Sequence, residues 1–91
     1  MKYRVEWLPV GLRDLRALPR AVQRRVASKV DLLADDPRPA GAKALQGAAR
    51  GLMRVRVDEY RVVYRIRDAE LRVIIVLAAH RVDVYRLLAR R

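Results

Sequence analysis

Residues 52–79 read LMRVRVDEYRVVYRIRDAELRVIIVLAA, and the fold follows from how this stretch is punctuated. Three segments rich in β-branched residues, 52–57, 60–67 and 71–79, are separated by Asp58-Glu59 and by Asp68-Ala69-Glu70. Runs of this composition with such short polar links predict an antiparallel meander, since two or three residues cannot carry a crossover. An even-numbered loop at Asp58-Glu59 pairs Val57 with Tyr60, Arg56 with Arg61 and Val55 with Val62. Alternation then sorts the faces: Met53, Val55, Val57, Tyr60, Val62 and Tyr64 on one side, Arg54, Arg56, Arg61 and Arg65 on the other. The third segment is apolar at every position from Val73 to Leu77, which predicts a central strand covered on both faces.

Working outward, Tyr3, Val5 and Trp7 alternate with Lys2, Arg4 and Glu6, the period of a half-buried strand that Pro9 and Gly11 end. Leu12, Leu15 and Leu18 follow at helical spacing. Pro19 interrupts them, and Val22, Val26, Val30 and Leu33 resume in steps of four, four and three, predicting a helical hairpin. Its outer face carries Arg20, Arg24, Arg25 and Lys29 as a solvated surface. Residues 35–51 hold two prolines and three glycines and read as a loop from helices to sheet, anchored by Leu45. Residues 82–91 read as a short helix or tail. The fold class is therefore α+β, with an N-terminal strand, a helical hairpin and a three-stranded antiparallel meander in one domain over residues 1–91.

A chain of 91 residues has room for one economical core. With no cysteine and one histidine, a disulfide framework, a thiolate metal site and a cysteine nucleophile are all unsupported, and neither a metal nor another cofactor is expected. No apolar run approaches the ~20 residues of a membrane span, and the strict alternation of the first residues does not suit a signal peptide, so a cytoplasmic protein is expected. The net charge of +11 sets a field that draws in polyanions, so the expected partner is nucleic acid or an acidic protein. Lys2, Lys29 and Lys43 are the lysines among 21 basic residues, a bias that arginine-rich codon usage explains as well as function does.

The arginine face carries the functional argument. Arg56 opposite Arg61 is unfavourable by itself, because like charges across a ladder repel. An anionic ligand offsets that cost, and the planar guanidinium suits phosphate because it donates two parallel hydrogen bonds. The plainer reading is the solvent side of an amphipathic hairpin. Arg81 and Tyr85, just beyond the central strand, are close enough to lean over one edge of the sheet. Tyr85 reads first as an anchor for the C-terminal segment and second as a platform for a base. His80 is the one histidine, a residue type suited to acid/base work, but on an extended strand it points away from Arg81, which makes it structural.

Taken in order, these pieces resemble the RelE/ParE superfamily of toxins from toxin-antitoxin modules. The resemblance spans nearly the whole chain: the early strand near Trp7, residues 15–19, DDP at 35–37, KALQG at 43–47, RVRVDEYRVVY at 54–64, HR at 80–81 and VY at 84–85. It implies a small ribonuclease-type fold. In the RelE branch it implies a toxin that enters the ribosomal A site and cuts mRNA without metal, leaving a 2′,3′-cyclic phosphate and so inhibiting translation. The family's basic positions match Arg54 and Arg56, its next arginines match Arg61 and Arg81, and its C-terminal tyrosine matches Tyr85. By that carry-over Arg61, Arg81 and Tyr85 are catalytic, while Arg54, Arg56 and Arg65 hold RNA phosphate. The filled set favours the RelE branch over a ParE-like inhibitor of DNA gyrase, and over a nucleic-acid-binding module without catalysis. A cognate antitoxin with an acidic wrapping segment is the implied protein partner.

Two departures from the family pattern stand out. Arginines replace the lysines of the second strand, and a guanidinium, which does not give up its proton in proteins, is no general base. Asp58-Glu59 stands where many members place a glycine before Tyr-Arg, which suits a two-residue primed turn poorly and predicts a wider, four-residue turn.

Overall fold

The computed structural model describes residues 2–91. Strand β1 (Arg4–Trp7) leads into helices α1 (Pro9–Ala17) and α2 (Arg20–Leu32), then a minimal strand β2 (Lys43–Ala44). Strands β3 (Met53–Val57), β4 (Tyr60–Arg67) and β5 (Arg72–His80) and helix α3 (Val84–Leu88) complete the chain, with 3-10 turns at Gly47–Ala49 and Asp68–Glu70.

The meander is present in the expected register, Arg56 facing Arg61 and Val55 facing Val62. It forms part of a five-stranded mixed sheet in the order β1-β5-β4-β3-β2. β1 runs parallel to β5, Arg4 beside Arg72, which makes β5 the interior strand its apolar sequence predicted. Pro9 starts α1 instead of merely ending the strand: it lies in the first turn, where its missing N–H costs nothing. Gly11 lies inside that helix, and a Cβ there would come within 2.9 Å of the Ile75 carbonyl oxygen, so its lack of a side chain lets α1 approach β5.

One face of the sheet packs on the helices. Val22, Val26, Val30 and Leu33 meet Val55, Val57, Val62, Tyr64, Val73, Ile75 and Ala78, each 8% exposed or less. The Tyr64 hydroxyl donates to the Pro37 carbonyl at 2.7 Å and ties the long loop to this core. The opposite face is covered too, by a smaller cluster of Leu45, Val63, Leu77, Ala79 and Val84. A register shift between Val63↔Leu77 and Tyr64↔Ile75 leaves Val76 as an extra residue. This bulge turns Val76 and Leu77 to the same face and lets β5 serve both clusters.

Candidate functional site

The β3–β4 turn is a two-residue loop, not the wider one that its sequence predicts. Val57 pairs directly with Tyr60, and Asp58 takes a left-handed φ of 54°, a conformation aspartate tolerates because its short side chain bonds locally. Each of the two acidic residues holds an arginine. The Asp58 carboxylate forms an ion pair with Arg25 Nε of α2 at 2.7 Å, and the Glu59 carboxylate accepts from Arg81 Nε at 2.6 Å. The sequence pattern gives Asp58-Glu59 a place in the turn and Arg25 a place on a solvated face, but not these ion pairs. The available signal was an acidic pair set between basic strands in a chain of charge +11.

Around this tip the fold gathers Arg54, Arg56, Arg61 and Arg81. Arg56 and Arg61 share a ladder rung, and Arg54 is two residues back on the same face. Arg81 follows the last β4–β5 pair, Tyr60↔His80, with its backbone N–H donating to the Glu59 carbonyl at 2.8 Å. Arg61 Nη1 donates to the carbonyls of Asp58 and Tyr60 at 3.0 and 2.9 Å. Partial burial first, and then the positive fields of Arg56 and Arg54, push the Arg61 guanidinium below its ordinary pKa. It remains a cation at neutral pH. Arg54 Nη1 is shut off from solvent without a hydrogen-bond partner among the described residues, a donor whose burial costs stability. The positive fields of Arg54, Arg56 and Arg81 all bear on Arg61, and of these guanidiniums Glu59 holds that of Arg81.

Arg65 and Tyr85 lie elsewhere. Arg65 is four residues farther along β4 than Arg61, about 13 Å at the rise of a strand, and is absent from the charges that bear on it. With Tyr85 it lines a pocket of about 680 Å³ among Leu8, Leu52, Val76 and Leu88. Tyr85 is 66% exposed and anchors nothing; Val84, 2% exposed, is the anchor of α3. His80 lies beside Tyr60, its ring edge-on at 5.4 Å, with Nδ1 accepting from the Val82 N–H at 3.3 Å.

The family model for the ParE toxin of the type II toxin-antitoxin system, parDE, matches residues 5–85. The chain belongs to that toxin family. The toxin is 34% identical over 90 residues to Toxin RelG of Mycobacterium tuberculosis, an alignment covering 94% of this chain and 99% of the relative. A chain of the RelBE2 toxin-antitoxin complex of Mycobacterium tuberculosis superposes on this toxin with a TM-score of 0.81 at 28% identity, covering 88% of this chain and 99% of that one. The archaeal RelE-RelB complex of Pyrococcus horikoshii gives 0.76 at 29% identity, over 89% and 97%. The family description carries the ParE name and these relatives carry Rel names, so the toxin's target has to be argued from the site.

Proposed function

We propose that this toxin is an mRNA endonuclease acting on the ribosome, with RNA phosphate held by the arginines of the hairpin tip. The observation that carries the reading is the convergence of Arg54, Arg56, Arg61 and Arg81 from two sequence-distant segments onto one surface. A toxin that works only by gripping a protein has no need of a phosphate clamp on a like-charge rung that weakens its own fold.

In the proposed step the 2′-hydroxyl of the mRNA loses its proton to solvent water, its oxygen attacks the adjacent phosphorus, and the bond to the 5′-oxygen breaks as that oxygen takes a proton from water, leaving a 2′,3′-cyclic phosphate and a 5′-hydroxyl. Negative charge grows on the equatorial phosphate oxygens. In this scheme Arg61 and Arg81 oppose it, which is electrostatic stabilisation of the transition state. Arg54 and Arg56 hold the flanking backbone. The arginines stay charged throughout and take no proton from the 2′-hydroxyl. Arg65 and Tyr85, at the neighbouring pocket, form a second station in this scheme: Arg65 for a phosphate farther along the strand and Tyr85, with its exposed ring, for a stacked base. Since ribosomes are the target, the proposed place of action is the cytoplasm. No helix among the described residues is long and apolar enough to cross a membrane.

The proposed partner is a cognate antitoxin, because two of the similar structures are toxin-antitoxin complexes. The charge of +11 gives an acidic wrapping segment its electrostatic complement.

Induction in growing cells with mapping of mRNA 5′ ends tests the reading. Growth arrest with new ends inside reading frames supports it. Arrest with intact mRNA and gyrase-dependent DNA breaks overturns it in favour of the ParE-type inhibitor.

A further inference from the structure

We propose that Glu59 is a positioning residue of the proposed RNA site: it holds the Arg81 guanidinium by its inner nitrogen so that the outer edge of the fork faces the phosphate. The inference rests on the nuclease reading given above. Glu59 and Arg81 are the first residues past the Tyr60↔His80 pair, facing each other across the ladder. Two bonds join them, backbone Arg81 N–H to Glu59 carbonyl at 2.8 Å and Arg81 Nε to Glu59 Oε2 at 2.6 Å. Arg81 Nη1 and Nη2 have no hydrogen-bond partner among the described residues. A guanidinium presents two donor edges, and an acceptor at Nε leaves the edge formed by the two Nη atoms open for bidentate contact with phosphate.

The side chains of Glu59 and Arg81 are 64% and 55% exposed. An ion pair this open contributes little to folding. Its effect is to restrict a side chain that would otherwise sample many rotamers, at a residue that follows the end of β5 and so lacks a strand to orient it. The turn itself is braced, since Asp58 is held to α2 by Arg25 at 2.7 Å. Helix, turn and Arg81 are therefore linked through the two acidic residues. The carboxyl of Glu59 is held below its ordinary pKa, chiefly by the hydrogen bond from Arg81, so the contact persists at neutral pH. The negative charge of Glu59 beside Arg61 and Arg81 also opposes RNA binding slightly. Positioning thus makes a split prediction, in which losing the side chain harms rate and not affinity.

The test compares wild type, Glu59→Gln and Glu59→Ala in single-turnover cleavage of mRNA on programmed ribosomes, with binding of a single-stranded RNA oligonucleotide measured separately. Glu59→Gln keeps an oxygen for the Arg81 Nε–H and should cleave within about threefold of wild type. Glu59→Ala should cleave about 10- to 100-fold more slowly, the range expected for a misplaced catalytic group, while binding RNA as tightly as wild type or tighter. Equal rates for all three, faster cleavage by Glu59→Ala, or equal losses in Gln and Ala overturns the proposal. Absence of cleavage by wild type sinks the nuclease reading instead. In that case nitrogen relaxation of the Arg81 Nε–H decides: an ordered side chain in wild type that becomes mobile in Glu59→Ala, with unchanged Tm, supports the tether, and equal mobility overturns it.

Discussion

Arg56 stands directly across the β3–β4 ladder from Arg61, and neither guanidinium has a carboxylate partner there. A like-charge pair in that position costs a few tenths to about 1 kcal/mol. Substitution of Arg56 by threonine removes the repulsion and keeps a good strand former. Arg56→Thr is expected to raise Tm by a few degrees and weaken RNA binding, with the salt dependence of binding reduced by about 0.7 in the log-log slope for one lost contact to single-stranded phosphate. Thermal unfolding and a salt titration of binding check both halves. A variant that is less stable would show the rung is not in conflict.

Arg91 grips the free edge of β5. β1 stops pairing at Trp7↔Ile75. Beyond it the Val76 carbonyl accepts from Arg91 Nη1 at 2.9 Å and the Ala78 N–H donates to Asp14 at 3.2 Å. Arg91 and Asp14 close on each other through two bonds of 2.7 and 2.8 Å, with side chains only 22% and 15% exposed. Arg91→Ala leaves a partly buried carboxylate without its partner, a loss of about 1–3 kcal/mol. Tm should fall by several degrees, and amide exchange in α3 should accelerate, since the latch lies just beyond that helix. An unchanged Tm would contradict this.

Two groups set opposite pH limits. Burial pushes the Tyr64 hydroxyl up to about 12, against about 10 in an unfolded chain. A raised value in the folded state means its contribution is whole below pH about 10 and lost as pH rises toward about 12. The Tyr64→Phe variant, lacking the bond to Pro37, should unfold at lower temperature than wild type at neutral pH, and the gap should close across that alkaline window. The Asp68 carboxyl is held down to about 2 by hydrogen bonds from Arg38 and Tyr3. Its contribution is whole above about pH 4 and lost as pH falls toward about 2. Because the pair is exposed, the Tm difference between Asp68→Asn and wild type should be small, and it should vanish over the acid window. Unfolding scans across pH measure both.

The register of the hairpin was legible because it is local: a period of two and a two-residue link leave one pairing that buries Val55, Val57 and Val62 together. The burial on both faces of β5 was legible from its unbroken apolar run. The parallel pairing of Arg4 with Arg72 was not, since contacts between ends of a chain leave no periodic mark. Nor was the bulge at Val76, which only tertiary packing on both faces requires. The site divided along the same line. Arg54, Arg56 and Arg61 meet through the local hairpin, and Arg81 meets them because β5 lies against β4. Arg65 shares the arginines' face in the sequence pattern and Tyr85 is read beside Arg81 at the sheet edge, yet the length of β4 and the position of α3 place both at a separate pocket. The turn misled because glycine is the usual residue for φ above zero, and Asp58 fills that conformation while bound to Arg25.

Whether the arginines of the hairpin tip cut RNA can be read directly in vitro. Purified wild type and the Arg61→Ala, Arg81→Ala double variant are each added to ribosomes programmed with a defined mRNA, and cleavage and its end groups are read. The account predicts cuts at the A site with a 2′,3′-cyclic phosphate for wild type, and a rate at least about 100-fold lower for a double variant of equal Tm, as for loss of transition-state donors. Intact mRNA with wild type, or equal cleavage by the folded double variant, would contradict it.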